Sequence, residues 1–138
     1  MTVFKGSPLG ELARVRQVTT RRASSYDRSG GNDDRLHIQP GTNVVIADIA
    51  GAGCINHIWC TMVCGAPDFL RQVTLRVWWD NETDPSVEVP IGDFFGVGHA
   101  QTVDFVSLPL QMSPNNGRAF NCWFPMPFSE RARFEISS

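Results

Sequence analysis

The sequence breaks into short segments in which apolar and polar residues alternate with a period of two. Clusters of Gly, Pro, Asn and Asp separate these segments. In 70–79 the residues Val73, Leu75, Val77 and Trp79 alternate with polar residues and Trp78. Successive side chains of a β-strand point to opposite faces, so this period predicts strands. A string of short strands joined by turns predicts a β-sandwich or a barrel.

The same reasoning predicts about eight strands, which is the number in a jelly roll. Their segments are 35–39, 44–49, 55–64, 70–79, 86–89, 120–126 and 131–136. We expect 44–49 to be buried. We expect 55–64, apolar on both faces, to lie centrally between two sheets. Pro40–Gly41 and 80–84 are predicted turns. The fold class is therefore all-β, with a jelly-roll β-sandwich favoured, although periodicity does not separate it from an immunoglobulin-like sandwich.

One short helix is predicted near the start of the chain, over 7–18. Ser7 can cap it, Pro8 suits its first position, and Leu9, Leu12, Ala13 and Arg16 recur at helical spacing. The 138 residues suit one domain. We therefore divide the chain into an N-terminal segment, 1–20, and a single jelly-roll domain, 21–138.

Charge and hydropathy exclude several classes of partner. The formal net charge is -2 and no long basic run is present, so neither nucleic acid nor an anionic membrane is an expected partner. The basic residues Arg14, Arg16, Arg21 and Arg22 are typical of a solvated face. No apolar run is long enough to cross a bilayer, and no signal peptide is visible at the start. We expect a cytoplasmic protein.

The cysteines and histidines predict no metal site and no cofactor. Cys54, Cys60 and Cys64 lie close together but form no C-x-x-C pair, and the histidines have no ligand-like spacing. In a cytoplasmic protein such cysteines are expected to be buried thiols rather than disulfides.

The segment 21–34 has the composition of a ligand-binding loop. It contains Tyr26, three arginines, the carboxylates Asp27, Asp33 and Asp34, and the pair Gly30–Gly31. Carboxylates and guanidinium groups form charge-assisted hydrogen bonds to hydroxyl groups, and glycine lets the backbone turn tightly. The alternative is an Asx-turn loop held by internal ion pairs.

Four further segments carry unusual side chains. Adjacent Trp78 and Trp79 must point to opposite faces of a strand. In 85–96, Asp93, Phe94 and Phe95 could bring a carboxylate and rings to a pocket, or form an interface. In 53–59, His57 and Trp59 are expected in the core. The dense aromatic and Met residues of 120–128 predict a surface covered by another domain or chain. No G-x-S-x-G, H-E-x-x-H, P-loop or Rossmann motif is present.

These segments resemble glycoside hydrolase family 172. The matching stretches are Arg-Arg-Ala-Ser-Ser-Tyr-Asp-Arg with Gly-Gly-Asn-Asp-Asp (21–34), Gly-Cys-Ile-Asn-His-Ile-Trp (53–59), Trp-Trp-Asp (78–80), Pro-Ser-Val-Glu-Val-Pro-Ile-Gly-Asp-Phe-Phe-Gly (85–96), Ser-Leu-Pro-Leu (107–110) and Phe-Asn-Cys-Trp-Phe-Pro-Met-Pro-Phe (120–128). The resemblance implies one half of a double jelly roll. It also implies trimer-based homo-oligomers with active sites near subunit contacts. The implied activities are on furanosides: α-D-fructofuranosidase, difructose anhydride and D-arabinan arabinofuranosidase chemistry. The implied mechanism is retaining, with one glutamate as nucleophile and another as acid/base.

No residue of this sequence matches either catalytic glutamate, which in the family belong to the second jelly roll. We therefore expect an N-terminal half that is inactive alone and that associates through apolar surface. The resemblance implies pocket-wall residues for a furanoside, with 21–34 and 92–96 lining one pocket. These candidates are Tyr26, Asp27, Asp33, Asp34, Trp79, Asp93, Phe94 and Phe95. The alternative is a non-catalytic single jelly roll that serves as an assembly or sugar-binding module.

Overall fold

The computed structural model describes Leu12 and residues 14–138. Its strands are β1 (Asn43–Ala50), β2 (Gly53–Ile55), β3 (Ile58–Thr61), β4 (Thr74–Trp79), β5 (Val87–Pro90), β6 (Phe105–Val106), β7 (Leu110–Met112), β8 (Ala119–Cys122), β9 (Met126–Phe128) and β10 (Arg131–Ser137). Two single-turn helices, α1 (Phe69–Gln72) and α2 (Ile91–Phe94), complete the described elements. The predicted all-β class is confirmed.

The strands form two four-stranded antiparallel sheets and one two-stranded ribbon. The first sheet has the order β1-β10-β4-β5, the second has the order β3-β8-β7-β6, and β2 pairs with β9. The long-range pairing is nested, because β1 pairs with β10, β2 with β9 and β3 with β8. The segment β1–β3 therefore runs antiparallel to the segment β8–β10 and pairs with it strand by strand.

One core lies between the two four-stranded sheets. The first sheet contributes alternate residues of two central strands, Leu75 and Val77 of β4 with Ala132, Phe134 and Ile136 of β10. The second sheet contributes Met112, Phe120 and Cys122. Full burial of a side chain of this size stabilises the fold by about 1.5–3 kcal/mol relative to exposure. The alternation seen in the sequence of 70–79 thus corresponds to one buried face, and the predicted strand 131–136 lies within β10.

The predicted strand 55–64 is wrong in extent and in position. It divides into β2 and β3, separated at Asn56–His57, and the two parts pair with different partners. Strands that change sheets bend at such a corner. β3 is an edge strand rather than a central one, and Val63 beyond it is 95% exposed.

Three other predicted strands also change, and one of them, 120–126, divides between β8 and β9. Residues 35–39 form no strand, because no neighbouring strand offers them hydrogen bonds and alternation alone does not make a ladder. Residues 69–72 form α1, in which the N–H groups of Arg71 and Gln72 donate to the Asp68 carbonyl. Buried Leu70 fits a helical turn as well as a strand.

The ends of the described domain meet beside β1. The Gly41 N–H donates to the Ser138 carbonyl at 2.8 Å, within the predicted Pro40–Gly41 turn. The predicted buried strand 44–49 lies inside β1, but β1 is an edge strand and Val45 is 44% exposed. Half of the predicted helix 7–18 falls outside the described residues, and 14–18 have no regular secondary structure. No helix in the described part of the chain is long and apolar enough to span a membrane.

Candidate functional site

The segment 24–36 lies against β1 and forms a cleft of about 410 Å³ with it. The cleft is lined by Ser24, Ser25, Tyr26, Asp27, Arg28, Asp33, Arg35, Leu36, Val45 and Ile46. The segment has no helix or strand, so hydrogen bonds and not a backbone ladder give it its shape. Three of the predicted site residues, Tyr26, Asp27 and Asp33, therefore share one cleft.

Asp27 organises this segment. Its Oδ1 accepts hydrogen bonds from the Ser29 backbone N–H at 2.8 Å and from the Ser29 hydroxyl at 2.7 Å. Its Oδ2 accepts one from the Asp33 N–H at 3.3 Å. These bonds, the Ser29 hydroxyl foremost, lower the pKa of the Asp27 carboxyl below its ordinary value. The Asx-type loop considered from the sequence is present, and Asp27 is an ionised acceptor rather than a proton donor.

The other two carboxylates of the loop also have neighbouring partners. Asp34 Oδ1 accepts from the Asp27 N–H at 2.7 Å, which places Asp34 beside the cleft. Asp33 pairs with Arg35 and lies 3.5 Å from the His37 Nε2. The Arg28 guanidinium carbon lies 5.7 Å from the centre of the Tyr26 ring, which is 55% exposed. The cleft thus presents an aromatic ring beside hydrogen-bonding groups whose charges largely cancel.

The predicted site residues of 92–96 lie elsewhere. Asp93 on α2 pairs with Arg71 on α1, and Arg71 also donates to the Gly98 carbonyl. This pair holds the two short helices together. Phe95 is only 2% exposed and packs against Phe94 and Phe120, so it belongs to the core and not to a pocket wall.

The two predicted loops lie beside opposite edges of the first sheet. The cleft segment 24–36 contacts β1, whereas α2 directly follows β5. β1 and β5 are the opposite edges of the first sheet. Three inter-strand spacings separate them, about 14 Å. Neither Asp93 nor Phe94 lines the cleft that contains Asp27, so their expected proximity to Asp27 stays a prediction.

The adjacent tryptophans point to opposite faces, as predicted. Trp79 packs into the core, with its ring 6.2 Å from Phe128 and 5.7 Å from Phe134. Trp78 lies on the outer face of the first sheet, where the Arg133 guanidinium is 4.7 Å from its ring centre. Trp79, selected as a pocket residue, is thus packed inward. Trp79 is two residues from Val77 and four from Leu75, so the alternation already places its side chain on the same, buried face of β4.

Trp78 lines a second cleft of about 200 Å³. The other lining residues are polar: Asn81, Glu82, Thr83, Arg131 and Arg133. Sequence reasoning did not select any of these residues. Arg131 and Arg133 line this cleft because β10 pairs with the end of β4. The alternation within a single segment does not reveal which strands pair.

The outer face of the second sheet carries exposed aromatic side chains. Cross-strand register places Trp59, Asn121, Gln111 and Val106 in one row. Trp59 is 60% exposed and Trp123 38% exposed, and the His57 ring stacks on Trp123 at 5.0 Å. The expected core positions of His57 and Trp59 are wrong. His57 is instead held on the surface by its Nε2, 3.0 Å from Asn121 Oδ1.

The segment 120–128 is divided between core and surface. Phe120, Cys122 and Phe128 are buried, and only Trp123 and Phe124 expose large apolar area. All four cysteines lie in the described chain and are free thiols; Cys54 and Cys64 are exposed, so the expectation of buried thiols fails for these two. Among the described residues, no group of three or more His, Cys, Asp and Glu side chains could hold a metal ion.

The fold and the clefts define an all-β domain with shallow, polar clefts edged by aromatic rings. The family model described as GH172 domain-like matches residues 31–138. This chain therefore belongs to the glycoside hydrolase family 172 domain family, and the resemblance seen in the sequence is confirmed. The match includes Asp33, Asp34 and Asp93 and begins after Tyr26 and Asp27. No curated protein matches the chain significantly.

Proposed function

We propose that this domain is the carbohydrate-binding half of a furanoside-active retaining glycoside hydrolase. In this proposal the cleft between 24–36 and β1 supplies one wall of a furanoside pocket. The outer face of the second sheet supplies an interface between subunits of a trimer-based homo-oligomer. The observation that carries the proposal is a family 172 domain that has a polar cleft beside an exposed tyrosine.

The chemistry of the cleft favours a neutral, hydroxylated ligand. In the lining of the cleft the two carboxylates Asp27 and Asp33 are matched in number by Arg28 and Arg35, so little net charge is left to attract an ion. Carboxylate oxygens retain further lone pairs for hydroxyl groups. The Tyr26 ring offers an apolar surface for the C–H face of a sugar. A furanoside has both kinds of group.

We assign no catalytic residue to this chain. Retaining hydrolysis needs two carboxyl groups about 5 Å apart, one as nucleophile and one that holds a proton at working pH. Asp27 cannot hold that proton, because its hydrogen bonds lower the pKa of its carboxyl. The catalytic pair is proposed to come from a second jelly roll, and the domain alone is proposed to be inactive.

Two structural features support the remaining parts of the proposal. The nested pairing of β1 with β10, β2 with β9 and β3 with β8 is the pattern expected of a jelly roll. The row Trp59–Asn121–Gln111–Val106 is uncharged, as the centre of a subunit interface is, and its two ends, Trp59 and Val106, expose apolar area. The cytoplasmic location stays a prediction from the sequence.

Calorimetric titration of the purified chain with methyl α-D-arabinofuranoside and methyl α-D-fructofuranoside tests the cleft. We expect Tyr26→Ala and Asp33→Ala to weaken binding and the control Asp84→Ala to leave it unchanged. Asp84 is exposed and lies outside both clefts. We expect no hydrolysis of the corresponding aryl furanosides. Turnover that survives repurification, or binding unaffected by both cleft variants, would contradict the proposal.

Light scattering tests the interface. We expect a mass above that of the monomer for the wild-type chain and a lower mass for Trp59→Ser with Phe124→Ser. A strictly monomeric wild-type chain at high concentration would show that this face is not a self-association surface of the domain.

A further inference from the structure

The two clefts open on the same face of the first sheet. Cross-strand register places Val45 beside Glu135 and Arg76, and places Asp48 beside Arg133 and Trp78. These two rows alternate with rows of core residues, so both point outward. Val45 lines the 24–36 cleft, and Trp78 with Arg133 lines the second cleft.

The separation of the clefts follows from the register. Trp78 lies two strands from β1 and two residues along β4 from the Val45 row. Strand spacing and rise place the Val45 and Trp78 backbones about 12 Å apart. The register of the described strands places the side chains of Asp48, Arg133 and Glu135 between them. The clefts are thus the two ends of one short surface.

Six charged side chains of this surface form three ion pairs, and Glu82 adds one carboxylate that is hydrogen-bonded to the Ser86 hydroxyl. Arg76 binds Glu88 at 2.9 Å, Arg131 binds Asp48 at 2.6 Å and Arg133 binds Glu135 at 2.6 Å. Three cations facing three anions create little net potential, so an anionic polymer gains no attraction here. The core of a protein interface is depleted in charged residues, so these side chains also argue against a protein partner. They are ordered donors and acceptors for a neutral polar ligand.

The position of the Trp78 ring is fixed by its neighbours. Arg133 covers part of the ring at 4.7 Å and is itself fixed by Glu135. A ring fixed in this way loses little conformational entropy when a ligand packs against it. The flanking Asn81, Glu82 and Thr83 supply an amide, a carboxylate and a hydroxyl at the same cleft.

We propose that the outer face of the first sheet binds an uncharged oligosaccharide of several residues, with Trp78 as a second sugar contact beyond the 24–36 cleft. The inference rests on the proposed function and extends it from a single furanoside to a chain. One sugar unit occupies one cleft, whereas a longer chain reaches both. Affinity should therefore rise with chain length until the Trp78 cleft is reached.

The test is calorimetric titration with arabinofuranosyl and inulin-type fructosyl oligosaccharides from one to five residues. We expect wild-type affinity to rise along at least one series. Trp78→Ala should remove this rise, with about a tenfold loss for the longest ligand, the value of one good ring contact. The monosaccharide affinity should not change. Asp84→Ala, at an exposed position outside both clefts, is the control and should behave like wild type.

A second variant tests the same cleft in case Trp78→Ala does not fold. Thr83 lines the Trp78 cleft, and Thr83→Trp should fill that cleft without removing a core contact. We expect it to abolish the length dependence. Equal affinity of the wild-type chain for short and long ligands, or unchanged length dependence in Thr83→Trp, overturns this inference alone. Absence of binding to every ligand overturns the proposed function as well.

Discussion

Arg133 and Glu135 lie two residues apart on β10 and form an ion pair on the outer face of the first sheet, with Nη2 2.6 Å from Oε2. Glu135 is only 7% exposed although it faces away from the core. A carboxylate that has lost most of its water needs a charged partner. Arg133 therefore has two roles: it neutralises Glu135 on the central strand β10, and it packs against the Trp78 ring.

We predict that Arg133→Met destabilises the domain because it leaves Glu135 without its partner. The expected loss is about 1–3 kcal/mol in the free energy of unfolding, measured by urea denaturation. The double variant Arg133→Met with Glu135→Leu should recover most of this loss, since no charge is then stranded. If the double variant is as unstable as the single one, packing of the Arg133 stem and not the ion pair is the important contribution.

Two phenylalanines four residues apart should respond very differently to truncation. Phe120 is 2% exposed and packs against Phe95, whereas Phe124 is 47% exposed. Phe120→Ala leaves a cavity and should cost about 3–5 kcal/mol. Phe124→Ala should cost less than about 0.5 kcal/mol, as exposed substitutions do. Equal losses in denaturant unfolding at one fixed protein concentration would mean that Phe124 is buried by association.

The sequence predicts the parts of this fold that local pattern controls. The inward faces of β4 and β10 and the Pro40–Gly41 turn follow from alternation and turn chemistry. The division between β2 and β3 does not, because the partner strands β9 and β8 lie far along the chain. β6 and β7 are only two and three residues long, too short to show a period.

The candidate site is predictable only in part, for the same reason. The 21–34 segment is conspicuous by composition, and its loop contacts are local, so Tyr26, Asp27 and Asp33 are found together. The Trp78 cleft combines β4, the following turn and β10. Its existence depends on register between strands more than fifty positions apart, which composition does not encode.

The four thiols should differ in reactivity. Cys54 and Cys64 are exposed, Cys60 is half-buried and Cys122 is buried. Burial raises the pKa of the Cys60 thiol to about 12, so almost no thiolate forms at neutral pH. We expect iodoacetamide to alkylate Cys54 and Cys64 in the native chain and to reach Cys60 and Cys122 only after unfolding. Peptide mass spectrometry distinguishes the sites. Native labelling of Cys60 at the rate of Cys54 would show that the β3 edge opens readily.

Asp80 should make the domain sensitive to acid. Its Oδ1 accepts hydrogen bonds from the backbone N–H groups of Ser129, Glu130 and Arg131, which tie the turn after β4 to the turn before β10. These bonds, that from Glu130 foremost, lower the pKa of the Asp80 carboxyl below its ordinary 3.8. The Arg131 pairing and the Ser29 hydrogen bonds lower the pKa values of Asp48 and Asp27 in the same direction.

The sign of the pH effect follows from that direction. A carboxyl whose pKa is lower in the folded chain stabilises the fold above the unfolded value of 3.8, and this contribution disappears as the pH falls through the folded value. We therefore expect the free energy of unfolding to decrease steadily as the pH is lowered below 3.8. Asp80→Asn keeps an acceptor oxygen but no charge, so it should be less stable than wild type at pH 7 and show a flatter acid slope. Asp84→Asn, at an exposed position in the same turn, should follow the wild-type curve. Chemical denaturation at a series of pH values measures all three chains, and parallel acid slopes for wild type and Asp80→Asn would show that the Asp80 charge does not stabilise the two turns.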